Sequence, residues 1–393
     1  MLASLPLFLQ AALFTGAGVL LVGGTAWWLF GSRVRGEVGE ARVPSPRLAL
    51  GLGVLLGLSA LQLVVGGLWD ASQHLTTGEI PGGSDFLWPS HIVIYSSFLL
   101  SLGGALVALV GVITPAWRAG LRDPRLWARS SRQLSAVALA SLYQLIAIPG
   151  DALWHELFGI DLTAWSPPHL SLAVMGAVVL LCAAAMIVRA HPAAPRAIGA
   201  DATVIGLLAL MLNVVYMVGV LEWELPGERS PLVAERPIWA YPLVAGSLGF
   251  LVLKLARELV PRRWAATATA ALFFLVRLAV STALGLTGNI APALPLIFVV
   301  GALLLDLIPW GRWVARLSAA RHALDPLSYS AGFAAVAAPI LAGGGFTPSF
   351  SAPELLAAFG LTFAVGVAIS PLAQWLGRVL RGAPSGSVAI PGS

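Results

Sequence analysis

Two short segments hold most of the residues in this chain that suit a metal ion. From Trp69 to Tyr95 the chain reads WDASQHLTTGEIPGGSDFLWPSHIVIY, and from Gly150 to Leu172 it reads GDALWHELFGIDLTAWSPPHLSL. Each has an Asp, three residues, a His, a loop, and a second His shortly after a Pro. The first set is Asp70, His74 and His91; the second is Asp151, His155 and His169. Four of the six histidines fall within residues 70–91 and 151–169, which make up about a tenth of the chain. Residues four apart lie on one face of a helix, so Asp70 and His74 point the same way, as do Asp151 and His155. A following antiparallel helix that begins near His91 or His169 brings the third side chain to each pair. Two imidazoles and one carboxylate, with coordination positions left open, suit copper, zinc or non-haem iron. Neither loop contains Lys or Arg, so no nearby cation repels a bound ion. The single cysteine, Cys182, sits inside an apolar run, which excludes an internal disulfide and argues against thiolate ligation.

The elements that must position these residues are membrane helices. Of 393 residues, 58% are hydrophobic and 10% are charged, and the mean hydropathy is +0.87. A soluble domain carries about 25% charged residues, so lipid is the solvent for most of this chain. Its net charge of +5 therefore reports topology and is no sign of a nucleic-acid partner. Apolar runs of about 20 residues predict eleven spanning helices, near 7–30, 47–71, 89–114, 133–156, 168–189, 199–221, 238–258, 264–286, 291–310, 328–345 and 353–377. The run 7–30 reads as a span and not as a cleaved leader. Pro149, Pro295, Pro339 and Pro371 are candidate kink points.

Basic residues alternate between loops. Arg33, Arg35, Arg42 and Arg47; Arg118 to Arg132; Arg189 and Arg196; Lys254 to Arg263; Arg312 to Arg321; and Arg378 and Arg381 all fall on one side, against Arg229 and Arg236 on the other. The positive-inside bias puts the N-terminus outside, the C-terminus in the cytoplasm and both Asp/His clusters at the periplasmic or extracellular face of the cell membrane. The chain divides into a first helix and loop (1–45), a four-helix unit carrying both clusters (46–190), further helices (191–381) and a Gly/Pro/Ser-rich tail (382–393) expected to be disordered.

Other polar residues near the clusters have plainer readings. Asp85 caps the next helix or orients a ligand. Glu79 and Asp161 read as solvated loop charges, and Glu156 points away from His155. Tyr95, one turn beyond His91, packs by default. Trp69, Trp88, Trp154 and Trp165 fit an interfacial aromatic belt. His191 and His322 belong to neither cluster. Arg277, in mid-helix, needs an anionic partner or a wet cavity, and Glu222 and Glu224, near the outer membrane face, are candidates to reach it.

The first segment resembles the C subunit of particulate methane monooxygenase and its ammonia-oxidising relatives. The likeness rests on Asp70-x3-His74 followed by Asp85-Phe86-Leu87-Trp88-Pro89-Ser90-His91-Ile92, and on Asp151-x3-His155 followed, thirteen residues on, by Pro167-Pro168-His169. It covers residues 46–190. Asp151 stands where the family has Asn, the first His–His spacing is longer than usual in the family, and the helices after 190 have no counterpart in it. The resemblance implies copper at Asp70, His74 and His91, a second copper at Asp151, His155 and His169, and oxidation of a small apolar substrate with dioxygen. It also implies further subunits or an electron donor. A homo-oligomer is compatible with it. The residues alone leave two other classes open: a non-catalytic copper-binding or copper-delivery membrane protein, and a zinc-dependent membrane hydrolase with Glu156 as base.

Overall fold

A computed structural model describes residues 7–32, 43–77, 87–158, 164–192, 196–224, 237, 239–292, 296–307, 318–343 and 350–382. Among the described residues the chain is all-helical, and nine helices are long and apolar enough to cross a membrane. This is a polytopic membrane helix bundle. In order the helices are α1 (Leu7–Ala26, continued by a π turn over Trp27–Gly31), α2 (Pro46–Thr77), α3 (Pro89–Arg118), α4 (Pro124–Ser130), α5 (Arg132–Phe158) and α6 (Pro167–Ala190). Then follow α7 (Ile198–Glu224), α8 (Ala240–Leu259), α9 (Ala265–Leu286), α10 (Ile297–Leu307), α11 (Ser318–Ala342) and α12 (Ala352–Arg381).

The nine spans are α2, α3, α5 to α9, α11 and α12. The ninth expected span corresponds to a shorter apolar helix, Ile297–Leu307, and the first to α1 with its π turn, of which Gly16–Gly31 is apolar. Pro295 and the tail from 383 onward lie outside the described residues. Helix ends run past the predicted spans. α3 continues through Pro115 to Arg118, α11 begins ten residues early at Ser318, and α12 reaches Arg381. Hydropathy marks where the hydrocarbon stops, whereas backbone hydrogen bonding carries a helix on into the polar interface. Gly382, at φ +81°, ends α12 in the left-handed conformation that a side chain would resist.

Contacts divide the chain into two compact units, residues 1–186 and 187–393. In the first unit α2 packs on α3 and α3 on α5. The buried face of α2 runs Leu52, Leu56, Ala60, Val64 and Leu68, at four-residue steps. Lipid tails are as apolar as leucine, so packing of small residues and buried hydrogen bonds must hold the helices together. Ser59 donates to the Ser97 carbonyl at 2.8 Å, and Ser101 and Ser141 share a hydrogen bond of 2.8 Å between α3 and α5. Sequence reading missed α4, a seven-residue helix in the loop after α3. Asp123 caps it by accepting from the Arg125 backbone at 2.8 Å, with Pro124 at the first helical position. The Arg125 side chain also pairs with Asp123 and holds that carboxyl below its ordinary range.

In the second unit α7 is the most enclosed span and α12 the least. α8 packs against α7, α9 and α12, and α10 against α9 and α11. Glycines permit the tightest crossings: a Cβ on Gly332 of α11 would lie 2.7 Å from the Gly301 backbone of α10. One end of this unit gathers the beginnings of α7, α9 and α11 with the ends of α8, α10 and α12, and many of its charges are paired. Asp201 accepts from Arg196 at 2.8 Å and from Arg262 at 2.6 Å. The fully buried Lys254 lies 2.7 Å from Glu258 and 2.8 Å from Asp325.

Candidate metal centre

Asp70 stands two turns before the end of α2, and His74 follows it by one turn. Pro89 occupies the first position of α3, where its missing N–H costs nothing, so His91 falls in the first turn. The two helices run antiparallel, so their facing ends bring all three side chains together. His91 Nε2 lies 2.9 Å from Asp70 Oδ1, and His74 Nε2 lies 3.6 Å from Asp70 Oδ2. The three ligand atoms fall within 4.8 Å of one another, the one such group among the described residues. Donors held at about 2.1 Å from a common ion lie no more than about 4.2 Å apart, and both Asp70–His separations already fall inside that limit. All three are partly exposed, which leaves a route for an ion and room for further ligands.

Rings enclose one side. Trp88 lies 5.3 Å from His74 and 6.5 Å from His91, and Tyr95 lies 5.9 Å from His91, all between centroids. Tyr95 is therefore beside the cluster rather than packed away from it. Sequence reading missed two polar neighbours. The buried Ser90 hydroxyl lies 3.0 Å from Asp70 Oδ1 and 3.1 Å from Gln73 Oε1, so its one proton serves either acceptor and steadies the carboxylate from behind. The available signal was the position of Ser90, between the helix-starting proline and His91.

Gly66 sits one turn before Asp70 on the same face of α2. A Cβ there would meet Ile94 Cγ1 at 2.7 Å, Ile94 N at 3.0 Å and Ser90 O at 3.2 Å. The backbones of α2 and α3 approach so closely because this residue has no side chain. Gly66→Ala is expected to push the helices apart just below the cluster, at a cost of about 1–3 kcal/mol. The checks are a lower melting temperature of the purified protein and weaker metal binding. A variant that melts and binds as the parent does would show that the close approach is not needed.

The second group is described only in part. Asp151 on α5 and His169 in the first turn of α6 face each other, with His169 Nε2 3.7 Å from Asp151 Oδ1. Ser166 precedes this helix as Trp88 precedes α3, and its Oγ lies 3.5 Å from the His169 backbone N–H. Position 155 stands one turn beyond Asp151 on α5, but the side chains of His155 and Glu156 lie outside the described residues, as do Glu79, Asp85 and Asp161. Trp154 is buried, and Trp69 and Trp165 are half-buried. Arg277 is buried within the second unit, and Glu224 accepts hydrogen bonds from Tyr216 and Tyr241.

The donor set fits a divalent first-row ion. Imidazole and carboxylate suit Cu(II) or Zn(II), whereas the sulfur ligands that favour Cu(I) are absent from the described cluster. Comparison with known proteins adds no family: the chain matches no protein-family model, no curated protein and no solved structure.

Proposed function

We propose that this chain is a copper-binding membrane protein akin to the C subunit of copper membrane monooxygenases, taking part in the oxidation of a small apolar substrate by dioxygen. The observation that carries this reading is the convergence of Asp70, His74 and His91, from two consecutive helices, to within 4.8 Å. Bound copper supplies one-electron chemistry toward dioxygen. The chain's own residues do the rest. His74 and His91 offer neutral imidazole nitrogens, Asp70 offers the anionic oxygen, and Ser90 keeps the carboxylate turned toward the imidazoles. Trp88 and Tyr95 cover one flank of the cluster and limit water on that side. Asp151, His155 and His169 form the second copper site of this reading.

The spans α2, α3, α5 and α6 give an apolar substrate access through the bilayer. In this reading the N-terminus is outside, the C-terminus is cytoplasmic, and both clusters face the periplasm or the exterior. The paired basic residues at one end of the second unit favour that end as the cytoplasmic one. Electrons come from another subunit or a separate donor.

Metal analysis of the full chain, purified in detergent without added metal, tests the reading. Copper at a stoichiometric level is expected, with oxygen uptake when a reductant and a small hydrocarbon are supplied. Zinc in place of copper would redirect the assignment to a membrane hydrolase. Copper content equal to that of the parent in a His74→Ala, His155→Ala double variant would remove copper binding at either cluster.

A further inference from the structure

The second unit buries a cation that makes no ion pair among the described residues. Arg277 lies in the middle of α9 and is fully buried, and its Nε, Nη1 and Nη2 have no hydrogen-bond partner. A guanidinium offers five donors in a rigid plane and does not give up its charge. Left alone in a low-dielectric interior, such a group is costly. Two rings offset part of that cost: the guanidinium carbon lies 4.9 Å from the Tyr216 ring centre and 5.8 Å from that of Phe273. Such contacts favour the cation over the ring face but satisfy none of its donors.

Among the described residues Glu224 is the carboxylate that interacts electrostatically with Arg277, but one of its oxygens is engaged elsewhere. Glu224 Oε1 accepts from the hydroxyls of Tyr216 and Tyr241, the latter at 2.7 Å. Its Oε2 is buried and has no hydrogen-bond partner, and Arg277 makes no ion pair with it. Asn213 Oδ1, one turn before Tyr216 on α7, is also buried without a partner. Unpartnered polar atoms thus gather where α7 and α9 meet, and the walls around them are aromatic. Tyr216, Phe273 and Phe298 pack mutually edge-to-face at 5.2 to 5.4 Å.

We propose that this cluster is a binding site for a small monocarboxylate, held by the Arg277 fork, with its apolar part against Phe273 and Phe298. The planar guanidinium matches a carboxylate through two parallel hydrogen bonds. Glu224 argues for a single charge, because a dianion would bring a second negative charge close to its carboxylate. The aromatic walls argue for an apolar substituent. The inference stands apart from the copper reading, since all of its residues belong to residues 187–393.

The test uses the full chain in detergent. Benzoate and acetate are titrated, with chloride and sulfate as comparison anions, and binding is read by calorimetry and by the shift in melting temperature. Benzoate is expected to bind more tightly than acetate, with no stabilisation by chloride or sulfate. Arg277→Gln is expected to abolish the response. Should that variant fail to fold, Arg277→Lys keeps the cation and loses the fork, and is expected to weaken benzoate binding by roughly ten-fold or more. Three results overturn the proposal: no carboxylate binds the parent; chloride or sulfate stabilises it as well as benzoate does; or Arg277→Lys melts differently while benzoate affinity is unchanged, which marks a purely structural arginine.

Discussion

His91→Ala is expected to weaken copper binding to the first cluster by roughly 100-fold or more, since loss of even an outer partner of a metal ligand costs 10–100-fold. His91 is the donor that α3 contributes, and its Nε2 makes the closest approach to Asp70, at 2.9 Å. Without it the remaining donors, Asp70 and His74, both belong to α2, and an ion no longer ties the two helices. Ligand binding stabilises a fold by about 2.7 kcal/mol when the ligand is at 100 times its dissociation constant. The parent should therefore melt higher with saturating copper, and His91→Ala should lose that increment. His91 is partly exposed, so the apo variant is expected to keep its helical content. Ser90→Ala is the finer probe: it keeps all three donors and removes only the hydroxyl behind Asp70, so its loss should be smaller. Competition titration against a chelator of known affinity measures both. Equal copper affinity in parent and His91→Ala would place any bound copper elsewhere.

Much of this arrangement is written locally in the chain, and the rest is not. The spans follow from apolar runs because backbone groups in hydrocarbon must be satisfied within one helix. The proximity of Asp70 and His74 follows from their four-residue spacing, and that of His91 from a short loop and a proline that starts the next helix. Ser90, Gly66 and the ion pairs of the second unit carry no such local signature. Gly66 looks like any other small residue of a membrane helix until Ile94 and Ser90 are known to face it. Lys254 and Asp325 are far apart in the chain, and only the packing of α8 beside α11 brings them to 2.8 Å. Arg277 was legible as a cost in mid-span. That Glu224 is taken up by two tyrosines was not, because hydrogen-bond partners chosen across helices depend on rotation about each axis. Hydropathy is blind to that rotation.

Lys254→Met and Asp325→Leu are each expected to destabilise the protein by about 3 kcal/mol, and the double variant by much less. The argument is one of charge balance in a buried network. Lys254 pairs with Glu258 and Asp325, Arg257 lies 3.5 Å from Asp325 and 3.7 Å from Asp306, and Arg381 lies 3.7 Å from Glu258. Three cations face three carboxylates, and Lys254 is wholly buried while Asp325 is 2% exposed. Removing Lys254 leaves Asp325 to share Arg257 with Asp306, and removing Asp325 leaves Lys254 to compete with Arg381 for Glu258. Each single change strands one charge in excess, where breaking a buried pair costs about 3–5 kcal/mol. The surviving second partner moves the expectation to the low end of that range. With both removed, Arg257 keeps Asp306 and Arg381 keeps Glu258, so every remaining charge has its partner and two apolar side chains fill the space. A double-mutant cycle on unfolding in detergent reads this directly as a coupling energy between the two positions. Strictly additive losses would mean that Lys254 and Asp325 act separately and that the network is a set of isolated pairs. A double variant close to the parent would show that what the second unit requires at this end is neutrality and packing, not these two ions in particular.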